Sequence, residues 1–255
     1  MASLTPPLLE GTRAAFFDLF DTLITIEGAA LPALSFAGAE RPSTIPLVYE
    51  ELRKIAPTLT LEKTMGELIN IWREIEVQKK AGPEEVSAPI RFARLVGRLG
   101  IASTDKDALA KRLTEVHMRA LAGAARPVEG AAEILGKLRE RGLPLVLISN
   151  FDYTPAARWI LEGTRLAEFF PAQVISDAVG LRKPHERLFE EAARAAGVPL
   201  ASALHVGDKA REDAWGASRL GIRAVWINPA GAPWQEPGSP PALTLRRFAE
   251  LALHI

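Results

Sequence analysis

The stretch that decides the fold is "AAFFDLFDTLIT", residues 14–25. Ala14, Ala15, Phe16 and Phe17 make a short apolar run, and Asp18 closes it; a second acid, Asp21, and then Thr22 follow. A near-continuous apolar run of this length suits a strand covered on both faces, as in a parallel sheet. Carboxylates at the mouth of such a strand call for a chemical reason, and so does the aromatic Phe20 between them.

Four later runs have the same character: Leu145–Ile148 ("LVLI"), Gln173–Ile175 ("QVI"), Ala203–Val206 ("ALHV") and Arg223–Ile227 ("RAVWI"). Helical patterns alternate with them at Gly130–Arg141, Ala156–Leu161, Glu186–Ala196 and Asp213–Leu220. Gly142, Gly197 and Gly221 stand just past three of these helices, where a left-handed cap residue belongs. Repeated strand–helix–strand units predict an α/β fold, a Rossmann-like open parallel sheet flanked by helices with right-handed crossovers.

Residues 27–125 break that rhythm. Segments such as "LEKTMGELINIWREIEVQKK" and "DALAKRLTEVHMRALAG" repeat apolar residues at helical spacing, and no strand is expected among them. The expected organisation is therefore an α/β core of residues 1–26 and 126–255, interrupted by an inserted α-helical domain of residues 27–125. A Pro/Gly-rich loop, "NPAGAPWQEPGSPPAL", precedes a last short helix expected around Leu245–Leu253.

Composition narrows the function. The 255 residues include 31 basic and 31 acidic side chains, so the formal charge cancels, and no polybasic run points to nucleic acid or a membrane surface. The absence of cysteine excludes a disulfide, a zinc–thiolate site and a cysteine nucleophile, leaving oxygen or histidine ligands for any metal. The start "MASLTPPLLEGTR" lacks the regions of a signal peptide, and no apolar run reaches transmembrane length. The expectation is a cytoplasmic enzyme or binding protein for a small polar ligand; oligomeric state is left open.

In an open parallel sheet, ligands bind beyond the carboxyl ends of the strands. Asp18 follows the first strand, and Ser149 with Asn150 follows "LVLI". Lys183 lies in "GLRKP"; Asp208 follows "ALHVG", and Asp213 stands five residues further on. Singly, Asp18 suits a turn, Ser149 and Asn150 suit loops, and Asp208 and Asp213 suit a helix start. Lys183 is harder to explain that way. Pro184 suits the first position of a helix, which puts a cation at a positively polarised helix start and asks for an anion as its counterpart. Three acids, a lysine and a hydroxyl at one sheet edge outline a reaction site.

In their order along the chain, "FFDLFDTLI", "LISN", "RKP" and "HVGDKAREDAWGA" resemble the four motifs of the haloacid dehalogenase (HAD) superfamily. The likeness covers roughly residues 10–25 and 126–230, and the inserted helices resemble a C1 cap of that superfamily. By this resemblance Asp18 is the nucleophile that forms a covalent intermediate. Thr22 and Asn150 contact the substrate or its phosphate, Ser149 binds oxygens of the transferring group, and Lys183 holds the nucleophile and the developing anion. Asp18, Asp208, Asp213 and the backbone carbonyl of Phe20 would hold Mg²⁺, a hard cation suited to oxygen ligands. The implied activity is a Mg²⁺-dependent phosphatase acting on a small phosphorylated metabolite through an aspartyl-phosphate.

Phe20 departs from the pattern. Phosphatases of the superfamily read D-x-D here, the second acid protonating the leaving oxygen and then activating water. General acid–base catalysis is worth about 10²–10⁴ in rate. The L-2-haloacid dehalogenases of the superfamily carry an aromatic residue here, because halide leaves without a proton, and Asn150 also fits their "SN". That class is metal-independent, whereas Asp208 and Asp213 with Asp18 would repel one another without a cation. A degenerate member that binds a phosphorylated ligand without turnover is the third alternative. In the insertion, Lys54, Lys63, Lys79 and Lys80 suit a solvated helix face rather than a Schiff base. Arg41, Trp72, Arg73, Arg91 and Arg94 have no assigned facing.

Overall fold

The computed structural model describes residues 7–36, 38–102 and 105–255. After β1 (Ala14–Phe17) and β2 (Ile24–Ile26) comes a hairpin of β3 (Ala33–Phe36) and β4 (Ala39–Pro42). Four helices follow: α1 (Ile45–Arg53), α2 (Leu61–Ala81), α3 (Ala88–Arg98) and α4 (Lys106–Ala124). The chain continues through β5 (Ala125–Pro127), α5 (Ala131–Glu140), β6 (Leu145–Ser149), α6 (Thr154–Gly163), β7 (Ala172–Ile175), α7 (Ser176–Val179) and α8 (Glu186–Ala196). It closes with β8 (Ala203–Gly207), α9 (Gly216–Ser218), β9 (Arg223–Ile227) and β10 (Leu243–Leu245). Two compact units result. One holds the chain through Thr25 with Arg126–Phe151 and Thr164–Ile255; the other holds Ile26–Ala125 with Asp152–Gly163.

The first unit is the expected α/β fold. Its six strands run in the order β10-β9-β8-β1-β6-β7, with the recorded pairings parallel. All four residues of β1 are buried, which accounts for the continuous apolar run. Phe16 joins one core with Val146, Ile148, Leu188, Phe189 and Ala214. Phe17 faces the other way, edge-on to Phe170 and Phe248. From β1 the chain builds outward to β6 and β7, then returns to the other side of β1 for β8, β9 and β10. The gap between the ends of β1 and β8 is thus a topological switch point, where such sheets bind ligands.

The last turns of this unit differ from expectation. Leu245, expected to open the last short helix, instead ends a strand, β10, that joins the sheet edge, Leu243 pairing with Val225 and Leu245 with Ile227. A three-residue strand is too short to show a period, and its identity comes from its partner. A 3₁₀ segment, Phe248–Leu253, follows it. Gly197 does cap α8 as expected, with φ 67°.

The second unit packs its helices around Leu52, Leu68, Ile71, Phe92, Leu95 and Leu113. In α2 the buried residues Met65, Leu68, Ile71 and Ile75 recur at three- and four-residue spacing. Thr60 starts that helix by accepting from the Lys63 backbone N–H at 3.2 Å. The expectation that residues 27–125 hold no strand is corrected by the β3–β4 hairpin, in register from Ala33↔Pro42 to Phe36↔Ala39. All four residues of β4 are exposed, so it lacks the alternation by which strands are recognised. Helix α6, expected in the α/β rhythm, clusters here instead. The Arg119 guanidinium stacks 4.0 Å over the Trp159 ring, and Arg91 pairs with Asp152 at 2.8 Å. Arg41 and Trp72 line a cavity of about 400 Å³ within this unit.

Candidate active site

Asp18 is held at the switch point by its own backbone, whose N–H donates to the Val206 carbonyl at 2.9 Å. Its side chain is 10% exposed. Lys183 arrives from the segment after α7, and its ammonium donates to Asp18 Oδ1 at 2.6 Å, to Asp213 Oδ1 at 2.6 Å and to the Ile148 carbonyl at 2.8 Å. All three donors of the ammonium are therefore engaged at a site 2% exposed. Lys183 does not stand at a helix start: α8 begins at Glu186 with His185 as its cap, and Lys183 precedes a cis bond to Pro184. Its counterparts are carboxylates rather than a helix terminus.

Asn150 fastens that lysine in place. Its Oδ1 accepts from the Lys183 N–H at 2.7 Å, and its Nδ2 donates to the Lys183 carbonyl at 3.0 Å. Asn150 lines the cavity, yet its amide is engaged with backbone. Ser149, at the end of β6, is 1% exposed and its hydroxyl has no partner.

Asp213 comes from a wide π-type turn, Ala210–Trp215, that follows β8. Its Oδ1 meets Lys183 and His205 Nε2, the latter at 2.9 Å, while Oδ2 accepts from the Lys209 N–H at 3.0 Å. The close approach depends on Gly207, because a Cβ there would lie 2.2 Å from Asp213 Cγ. Asp208 has its carbonyl anchored by the Trp226 indole N–H at 2.9 Å. Its Oδ2 meets the Lys209 ammonium at 2.5 Å, and its Oδ1 is buried without a partner.

One cavity of about 110 Å³ is lined by Asp18, Phe20, Asp21, Asn150, Lys183, Asp208, Lys209, Glu212 and Asp213; Ser149 and His205 are not among its lining residues. Phe20 sets its ring edge-on to Phe151 with centroids 4.9 Å apart. Thr22 is not part of that lining. It is fully buried, its hydroxyl has no partner, and it lines a separate pocket with Val128, Ile227 and Phe248. Asp21 adopts φ 58°, in the left-handed region that a short polar side chain tolerates, and it borders both pockets.

Charge explains the protonation states. Burial pushes the Asp18 carboxyl up to about 7; Lys183 opposes this, while Asp213 and Asp208 reinforce it. Burial also works against ionised Asp213, but Lys183 and His205 outweigh it and hold that carboxyl well below its usual range. For Lys183, burial opposes the charge, and the Asp18 and Asp213 carboxylates more than restore it, raising its pKa. Burial lowers the His205 pKa despite Asp213, which fits a neutral ring donating from Nε2. Burial raises Asp208, with Lys209 opposing.

Asp18, Asp208 and Asp213 each offer a carboxylate oxygen, and these oxygens lie within 4.8 Å of one another. Among the described residues the cavity gathers five carboxylates, those of Asp18, Asp21, Asp208, Glu212 and Asp213, against two ammonium groups, Lys183 and Lys209, so negative charge is in excess. An orphaned buried oxygen on Asp208 and an Asp18 of raised pKa are what an oxygen-ligated hard cation would satisfy. The donor set fits such an ion. His205 and Lys209 are the members that motif reading missed. His205 reads only as a polar residue inside the apolar "ALHV", and Lys209 only as a basic residue beside an acid.

The parallel sheet and the cluster of carboxylates and lysine at its switch point define an α/β protein with a candidate reaction site. The chain belongs to the haloacid dehalogenase-like hydrolase family, whose pattern it matches over residues 12–221. A glyceraldehyde 3-phosphate phosphatase of Methanothermobacter thermautotrophicus is 30% identical over 225 residues, 85% of each chain. A glyceraldehyde 3-phosphate phosphatase of Pyrococcus abyssi is 39% identical over 104 residues, 40% of this chain and 42% of that protein. The chain spans 42% to 61% of the lengths of three curated relatives it matches, this one included. The crystal structure of a 2-haloacid dehalogenase from Pseudomonas syringae superposes with a TM-score of 0.68 at 23% identity, covering 95% of this chain and 97% of that one. At that identity the likeness is one of fold. Among the described residues no helix is long and apolar enough to cross a membrane.

Proposed function

We propose that the chain is a Mg²⁺-dependent phosphatase of a small phosphorylated metabolite, working through an aspartyl-phosphate on Asp18. The observation that carries this reading is the convergence of Asp18, Asp208 and Asp213 within 4.8 Å around an unpartnered Asp208 oxygen. Phosphatase names among the relatives support it. Asp18, Asp208, Asp213 and the Phe20 carbonyl would hold the ion, and its chemistry there is to neutralise charge on the phosphoryl oxygens. The α/β unit would carry the reaction, and the helical insertion, residues 27–125, corresponds to a cap of the C1 type.

The protein's own groups then divide the work. Lys183 holds Asp18 Oδ1, which leaves Oδ2 for attack on phosphorus. As the Asp18 Oδ2–P bond forms, the bond to the leaving oxygen breaks and that oxygen keeps the electron pair. Water next attacks phosphorus and the Oδ2–P bond breaks; one proton of that water stays on the phosphate, the other passes to solvent, and phosphate and the Asp18 carboxylate are released. The Ser149 hydroxyl is a free donor for a phosphoryl oxygen. Asn150 acts by placing Lys183. Thr22 acts on the placement of the loop, since it lines the other pocket.

Phe20 and Phe151 present aromatic surface where a second acid would protonate the leaving group. The preferred substrates are therefore phosphates whose leaving group needs no proton, such as acyl phosphates. Phosphate release from acetyl phosphate with Mg²⁺ should exceed that from an alkyl phosphate. Phe20→Asp should raise alkyl phosphate turnover by about 10²-fold; an unchanged ratio between the two substrates contradicts this account of Phe20.

The same aromatic pair favours a second reading, hydrolytic dehalogenation of a 2-haloacid, in which halide departs unprotonated. Halide release from 2-chloropropionate that persists in EDTA would select it over the first.

A further inference from the structure

Among the described residues, Lys209 is the one cation of the cavity that the phosphatase reading leaves without a task. It follows Asp208 directly, its side chain is 58% exposed, and its ammonium sits 2.5 Å from Asp208 Oδ2. The next acid it meets is Asp21, whose Oδ2 lies 3.8 Å away. Its backbone N–H is committed to Asp213 Oδ2 at 3.0 Å, so the main chain is held while the side chain is free to turn.

We propose that Lys209 is a resident counter-ion that competes with the divalent cation for Asp208 and moves toward Asp21 when the cation binds. This rests on the metal reading of the three carboxylates given above. The charge balance supports it. The balance is drawn over the shielded groups, because Asp21, 65% exposed, and the half-buried Glu212 also border the cavity but are screened by water. With Lys209 on Asp208, the three shielded carboxylates and two ammonium groups leave one negative charge. A divalent ion added with Lys209 still in place would leave one positive charge. The same ion with Lys209 turned away leaves Asp18, Asp208, Asp213, Lys183 and the cation neutral together. Burial makes that neutral arrangement the favoured one, because uncompensated charge is costly out of water.

Geometry supplies the exit. Asp208 is only 9% exposed at its side chain, whereas Asp21 is 65% exposed, so the ammonium passes from a shielded partner to a solvated one. This also gives Asp21 a role that its sequence position did not suggest: it is the second resting place of Lys209. The left-handed backbone at Asp21, φ 58°, is the conformation in which its carboxylate comes within 3.8 Å of that lysine.

Mg²⁺ binding measured by isothermal titration calorimetry on the full chain tests the proposal without reference to turnover. Lys209→Met should bind Mg²⁺ about three- to tenfold more tightly than the parent, the scale of a partly exposed ion pair released from competition. Lys63→Met, which removes an exposed lysine of the helical unit, corrects for the change in net charge. Asp21→Asn should weaken Mg²⁺ binding in the parent and have a smaller effect in the Lys209→Met background. Circular dichroism confirms folding of each variant. Equal or weaker binding by Lys209→Met overturns the proposal while leaving the metal reading intact. No Mg²⁺ binding by parent or variant overturns the metal reading itself, and the proposal with it.

Discussion

Each unit holds a histidine against a polar partner, fully buried in the α/β unit and half-buried in the helical one, and the two arrangements are built on opposite terms. In the α/β unit His205 sits on β8 and meets Asp213, which meets Lys183, which meets Asp18, a chain of charged contacts of 2.6–2.9 Å. That chain carries an excess of negative charge and leaves orphaned oxygens on Asp208 and Ser149. In the helical unit His117 on α4 meets the Thr44 hydroxyl at 2.5 Å beside the Phe92 ring, and burial, aided by nearby Arg91, lowers its pKa to about 3. That pair is neutral. An unfinished charged network marks a site waiting for a ligand, whereas a neutral bonded pair fastens helices together.

Substitutions should separate the two. The largest effect is expected from Asp18→Asn, which should lower phosphate release by at least about 10³-fold while sparing the fold. Retained turnover would show that the charged network is not the reaction centre. Next, Lys183→Met leaves Asp18 and Asp213 buried without their shared cation and should cost about 3–5 kcal/mol in urea unfolding without Mg²⁺. A smaller loss with Mg²⁺ present would show the ion sharing the lysine's charge role. Gly207→Ala forces Asp213 away from its place and should cost about 2–3 kcal/mol with loss of turnover. His117→Ala should cost about 1–3 kcal/mol in the helical unit and leave the Mg²⁺ affinity of the α/β unit unchanged.

The most discriminating test is pH dependence. His117 has a folded pKa of about 3, below its ordinary 6.5, so its neutral form favours the fold. Its contribution is complete above pH 6.5 and is lost as pH falls toward 3, by up to about 1.4 kcal/mol per pH unit. Asp18 has a folded pKa of about 7, above its ordinary 3.8. Its contribution is present below 3.8 and is lost as pH rises through 7, unless a cation intervenes. Hydrogen exchange of α4 and of β1, followed against pH without metal, should therefore shift in opposite directions. A common direction would mean that the two networks do not differ in charge.

Much of the α/β unit was legible because buried parallel strands must be apolar throughout, as in "AAFF", "LVLIS" and "RAVWI". Asp18, Lys183, Asp208 and Asp213 could be named because strand-end polar residues stand out against such runs, and their shared cavity gives that order a geometric sense. The exposed β4 and the three-residue β10 carried no period and were read as something else. Thr22 belonged to the same motif as Asp18 yet lines a different pocket, since neighbours across a tight turn face opposite sides.

The sequence by itself determined which residues are apolar, where strands alternate with helices, and which ionisable groups stand at strand ends. Those follow from local periodicity and from the cost of burying charge. Tertiary structure alone decided that Asn150 clamps the Lys183 backbone, that His205 backs Asp213, and that Lys209 reaches both Asp208 and Asp21. These are contacts between segments distant in sequence or turned by a local bend, and their strength depends on distance, direction and burial. The residue Phe20 belongs to both accounts: its sequence position removes the usual acid, and its packing on Phe151 shows an aromatic wall in that acid's place.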